Sequence, residues 1–160
     1  MCTSTHHHHP NMKNIITAYR GINASQNRDM AMAIDGIHFS LDQEYASTYG
    51  LVVEAEICME RNLDLMCIKS ASDFIARFAC VGIKADDVVG EFIDGASTVE
   101  TASQDWRQMG PQAMMGDDFT NFLGRHVRHQ VDTITFPEHG NEADPSIIVL
   151  SLDAIQQIKA

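Results

Sequence analysis

The side chains that could do chemistry are gathered toward the two ends of the chain. Near the front, Tyr19-Arg20-Gly21 and the stretch Gly36-Ile37-His38-Phe39-Ser40 supply a cation, rings and hydroxyls, and Tyr49 follows a little later. Near the far end, Glu142 and Asp144 stand before the apolar run Ser146-Ile147-Ile148-Val149-Leu150. Carboxylates can stabilise positive charge that develops at a sugar carbon, as paired acids do in glycoside hydrolysis. The plainer reading of Glu142 and Asp144 is solvated loop acids in an acidic protein, and both readings stay open. Asp105, beside Trp106, is a remoter acid. His126 and His129 are spaced to share a helical face, but two ligands do not make a zinc site, so a structural role is expected. Cys58 or Cys67 as a nucleophile would need a nearby base. No glycine-rich phosphate loop of the Walker or Rossmann type occurs.

The elements that must position these groups can be read from periodicity and turn chemistry. Asn14–Tyr19 reads as a short apolar strand closed by Gly21, followed by a polar loop over 23–28 and a helical turn over 30–34. Gly36 restarts the chain into a strand at Ile37–Phe39. Ser40 and Gln43 match a capping box, so a short helix is predicted over Asp42–Tyr49, with Gly50 at its end. From Leu51, Val53, Ala55 and Ile57 alternate with Glu54 and Glu56, the pattern of a strand with one buried face. A strand or extended edge is expected at Asp64–Lys69. A helix should follow Ser72 and Asp73 with Phe74, Ile75 and Phe78 on one side, and another should cover Asp86–Ile93. Gly95–Gly116 yields only a helical turn around Trp106. Asp117 and Asp118 open a helix carrying Phe119, Phe122, Leu123, His126 and Val127. Val131–Phe136 alternates as a strand that Pro137 ends, Glu138–Pro145 reads as an acidic loop, Ser146–Leu152 as an apolar strand, and the chain closes with Asp153–Lys159.

Three of these pieces, in this order, resemble an ADP-ribosyltransferase: the strand ending Ala18-Tyr19-Arg20-Gly21, the block from Gly36 through Ala46 to Tyr49-Gly50, and the final apolar strand. In that family a Y-R-G or H-G element ends the first strand and holds NAD. Its glycine backbone pairs with the nicotinamide amide, and its Arg or His reaches a ribose or phosphate. The resemblance thus implies NAD-binding roles for Tyr19, Arg20 and Gly21. The second block is similar to the G-I-Y-F element of the poly(ADP-ribose) polymerase and diphtheria-toxin branch, where two aromatic rings eleven positions apart sandwich nicotinamide. His38 and Tyr49 reproduce that separation, with histidine in place of the usual tyrosine. A flat π-face attracts a cationic pyridinium by roughly 0.5 to 2 kcal/mol. Taken alone, Tyr-Arg-Gly is an ordinary strand and turn, and Tyr49 is equally suited to packing at a helix end. Ser40 falls where the arginine-specific branch supports the nicotinamide ribose with a serine. The family's catalytic glutamate opens a strand ahead of an apolar triplet such as Ile147-Ile148-Val149, and here that position is Ser146. The resemblance passes the catalytic role to Asp144, at the first acid of the arginine-specific E-x-E pair, with Glu142 in reserve. The serine and the short ending around Gln156-Gln157-Ile158-Lys159 look most like phage-borne ADP-ribosyltransferase-like domains of the polyvalent-protein type, including an anti-CRISPR ADP-ribosyltransferase.

The implied fold is α+β, with ADP-ribosyltransferase-like split β-sheets flanked by helices and an NAD cleft between them. Composition allows it. The 160 residues with 44% apolar content suit one domain over 12–160, behind a tag-like or disordered leader at 1–11 that holds His6 to His9. Twenty-two acidic against eleven basic residues give a formal charge of −11, which disfavours nucleic acid and anionic membranes and leaves open a basic protein partner or mimicry of nucleic acid. No long apolar run or signal-peptide pattern occurs, so a cytoplasmic protein is expected, with its four cysteines reduced. The expected activity is NAD-dependent ADP-ribosylation of a protein, as in a phage-encoded inhibitor of a host defence complex, with NAD as substrate and no metal. Two alternatives stay open: NAD glycohydrolysis, and a catalytically inactive acidic binder on the same fold.

Overall fold

The computed structural model describes residues 14–22, 36–89, 98–109, 123–138 and 141–159. Among them seven strands form one mixed sheet: β1 (Ile15–Ile22), β2 (Ile37–Ser40), β3 (Leu51–Cys58), β4 (Asn62–Asp64), β5 (Thr133–Glu138), β6 (Asn141–Val149) and β7 (Ile155–Lys159). Their order across the sheet is β4-β5-β6-β2-β1-β3-β7. Only β4 and β5 run parallel; the other neighbours are antiparallel. In β3 the alternation is as the sequence predicts, with Val53, Ala55 and Ile57 buried and the intervening glutamates partly exposed.

Pairing along the sheet is uneven. β1 is joined to β3 over its whole length, from Ile15 opposite Cys58 to Ile22 opposite Leu51. Against β2 it has one described register pair, Tyr19 with Ser40. The sheet is therefore continuous on one side of β1 and pinned at a point on the other. The short helix α1 (Gln43–Ser47) packs against β1, β2 and β3 beside this junction.

Two apolar clusters flank the sheet. One gathers Ala18 and Ile22 of β1, Ile37 and Phe39 of β2, the buried residues of β3, and Ile147 and Val149 of β6. The other covers Leu63, Ile134, Phe136 and Ile148 with three helices, α2 (Ala71–Cys80), α3 (Ala85–Val89) and α4 (Val99–Met109). The side chain of Ser70 caps α2 by accepting from the Asp73 amide, and Phe74 and Phe78 bury one face while Ile75 stays exposed. On α4, buried Trp106 donates its indole N–H to the Leu65 carbonyl at 3.0 Å. Arg77 of α2 ties down the end of β4 by donating to the carbonyls of Asp64 and Met66 at 2.8 and 2.9 Å.

Several local expectations are corrected. Strand β5 runs through Pro137, and Glu138–Pro145 is not wholly a loop, because β6 begins at Asn141 and pairs Pro145 with Pro137. Both prolines lie beyond the last described pairs of the outer neighbours, Asp64 with Thr135 and Ser40 with Ser146, where a missing N–H costs no ladder bond. Ser40 does not cap α1: it is held in β2 opposite Ser146, its hydroxyl accepts from the Asp42 amide, and Asp42 caps the helix through the Glu44 amide. The C-terminal segment adds a strand, β7, to the free edge of β3. Cys58 and Cys67 are in no disulfide, whereas Cys80 is disulfide-bonded, against the expectation of four reduced cysteines. The leader at 1–11, the loop at 23–28, the turn at 30–34 and the helix start at 117–122 lie outside the described residues. Among those described, no helix is long and apolar enough to cross a membrane.

Phe78 is fully buried between α2 and the sheet. Phe78→Ala should cost about 3 to 5 kcal/mol of stability, read from urea unfolding, because the cavity it leaves cannot fully collapse.

Candidate functional site

The point where β1 meets β2 opens into a cavity of about 300 Å³. Tyr19, Arg20 and Gly21 line it from β1, and His38, Phe39 and Ser40 from β2. Tyr45, Ala46 and Tyr49 close it from α1 and the turn that follows, and Ser146 of β6 completes the wall. All six residues to which the resemblance assigns NAD, namely Tyr19, Arg20, Gly21, His38, Ser40 and Tyr49, thus share one concave surface.

Register explains the convergence. Glu54, Tyr19, Ser40, Ser146 and Phe136 are successive cross-strand partners on β3, β1, β2, β6 and β5, so one row of side chains crosses the sheet. Side chains directly opposite one another in antiparallel strands share a face. Ser40 and Ser146 are 5% and 3% exposed, so two hydroxyls form a nearly dry part of the wall. The His38 ring meets Phe136 edge-on at 6.3 Å.

Gly21 sets how near α1 can come. A Cβ at this position would lie 1.9 Å from the Ala46 carbonyl oxygen and 2.9 Å from Tyr49 Cβ. Only a residue without a side chain lets the helix backbone rest there. The same carbonyl accepts from the Tyr49 amide at 3.1 Å, which fixes the turn that carries the Tyr49 ring.

Arg20 crosses the junction, its Nη1 donating to the His38 carbonyl at 3.0 Å. A guanidinium carries five N–H donors in a planar fork, so holding a carbonyl and receiving an anion are compatible roles. The guanidinium is partly buried and forms part of the cavity wall.

Acids are placed differently. Glu142 and Asp144 stand on β6, four and two positions before Ser146, and their side chains lie outside what the structure describes. Among the described residues no Asp or Glu lines the cavity. Glu54 is one strand beyond Tyr19, with its Oε2 3.9 Å from Lys159 Nζ. Asp105 belongs to α4, in the helical layer, and is not among the lining residues. Among the described residues no three His, Cys, Asp or Glu side chains group as a metal site.

Tyr45 was not expected here. Its ring meets that of Tyr49 edge to face, and the i, i+4 spacing of the two tyrosines along a helix and its closing turn was the signal for it. Comparison with protein-family models, curated proteins and solved structures finds no match to the chain.

Gly21→Ala should be destabilised by about 1 to 3 kcal/mol in urea unfolding, since a backbone carbonyl must move to admit the methyl group. Unchanged stability would contradict the described contact between β1 and α1.

Proposed function

We propose that the protein binds NAD in this cavity and transfers its ADP-ribose to a protein side chain. One observation carries the reading: six residues from two separate pieces of the sequence, assigned to NAD by the resemblance alone, line a single cavity at the junction of β1 and β2. A split-sheet fold with its cleft between the halves is the finer architecture that this reading gives to the α+β chain. A volume of about 300 Å³ is at the lower end for small-molecule sites. It suits the nicotinamide ring and its ribose, with the rest of the dinucleotide lying across the open mouth.

In this reading the walls divide the work. Tyr49 and His38 offer ring faces to the pyridinium. Gly21 presents backbone to the carboxamide, Arg20 takes a phosphate or ribose oxygen, and Tyr19 and Ser40 support the ribose. The bond between the ribose C1′ and the pyridinium nitrogen breaks, and nicotinamide leaves neutral with the bonding electron pair. The acceptor nucleophile then bonds to C1′ and gives up its proton. Positive charge builds on the ribose before that bond is complete, so a carboxylate near C1′ lowers the barrier. Asp144 takes that role, with Glu142 in reserve. The acceptor is a protein of the host or of its defence machinery, a basic one by charge complementarity. If water replaced the acceptor, the same site would hydrolyse NAD.

Ser146 favours a second reading, a catalytically silent binder. Its hydroxyl, 3% exposed on the cavity wall, stands where the resemblance places the catalytic carboxylate, and a hydroxyl supplies no negative charge to an oxocarbenium ion.

NAD at about 100 times its Kd should raise the melting temperature by roughly 5 to 10 °C, and Arg20→Ala should remove most of that shift. Absence of any shift at millimolar NAD counts against the dinucleotide reading. Incubation with NAD and host lysate, followed by mass spectrometry, should give an ADP-ribose adduct that Asp144→Asn abolishes while keeping the thermal shift. A shift without adduct or released nicotinamide selects the binder.

A further inference from the structure

Tyr49 carries an exposed ring at the cavity, 55% exposed and just past the end of α1. Surface exposure leaves a side chain free to sample rotamers unless a neighbour holds it. Tyr45 is that neighbour. The two ring centroids are 5.6 Å apart at 67°, an edge-to-face contact, and the phenolic oxygens are hydrogen-bonded at 2.9 Å. Tyr45 is half-buried, and its helix is seated on β1 by the backbone contact at Gly21. The pair thus combines one anchored ring with one ring held at two points, through the ring contact and through its hydroxyl.

We propose that Tyr45 is a positioning residue that holds the Tyr49 ring as a fixed face for a flat cation, so that the cavity selects the charged pyridinium of NAD over the uncharged dihydropyridine of NADH. The assignment rests on the dinucleotide reading above. Attraction between a cation and a ring depends on the cation lying over the ring face, and a ring that swings away loses it. At a partly exposed site the attraction corresponds to about a two- to fivefold preference in affinity. An uncharged ring of similar shape keeps its dispersion contact and gains little from a fixed face. Loss of the phenol bond should therefore weaken NAD more than NADH.

Calorimetric titration of the full chain with NAD and with NADH tests this in the wild type, Tyr45→Phe, Tyr49→Phe and the double variant. The wild type should bind NAD about two- to fivefold more tightly than NADH. Tyr45→Phe keeps the ring and breaks the hydroxyl contact; it should bring the ratio toward one, mainly through weaker NAD binding. Tyr49→Phe breaks the same bond from its exposed end and should give the same ratio, so the test survives if Tyr45→Phe fails to fold. The double variant should lose no more than Tyr45→Phe alone, because that variant has already removed the bond between the two phenols. An unchanged ratio in the single variants, or losses that add in the double variant, would overturn the positioning role. A wild type that binds neither dinucleotide overturns the reading of the cavity itself and this assignment with it.

Discussion

A helix can lie against a strand at backbone distance only where the strand has no side chain in the way. At Gly21 the space a methyl group would need is already occupied by the Ala46 carbonyl. That contact seats α1 beside the junction of β1 and β2. The turn after the helix brings Tyr49 over the cavity, and Tyr45 comes with it from the preceding turn. On the other wall, the single described pair between Tyr19 and Ser40 sets the register that aligns Ser146 with both. The cavity is thus a consequence of one missing side chain and one cross-strand pair, with the two apolar clusters holding the sheet on either side of it.

Electrostatics gives that cavity its character. The chain as a whole repels anions, yet the polar groups gathered on this surface are a guanidinium, hydroxyls and an imidazole, with no described carboxylate among them. That lining is what supports the proposal of a ligand combining a flat ring with hydroxyl-rich portions. In the proposed reading the net negative charge would speed and orient the approach of a basic protein acceptor by long-range attraction. The proposed transfer turns on an acid of β6 reaching the reacting carbon, because Ser146 supplies no carboxylate.

Much of the site was legible because its elements are local. The alternation of β3, the glycine at 50 and the short helix after Ser40 are read from periods and turn residues, and the structure has each in its expected place, whereas Gly21 lies inside β1 rather than closing it. Legibility failed where a long-range partner overrides a local signal. Ser40 looks like a helix cap but is held in β2 by Ser146, more than a hundred residues away. Pro137 and the acidic run after it look like the end of a strand, yet pairing between β5 and β6 continues because the prolines sit past the ends of neighbouring strands. Trp106 and α4 were hidden in a stretch rich in breakers, and the burial of the indole against Leu65 supplies the stability that local propensity lacks. Tyr45 belongs to no motif of its own, and only its helical spacing to Tyr49 marks it in the sequence.

The most direct test of the account is a crystal structure of the full chain grown with saturating NAD. The account predicts the dinucleotide at the junction of β1 and β2, its pyridinium ring against the face of Tyr49, its carboxamide on the Gly21 backbone and the Arg20 guanidinium on a phosphate or ribose oxygen. NAD bound to another surface, or its phosphates and ring directed away from these three residues, would contradict it.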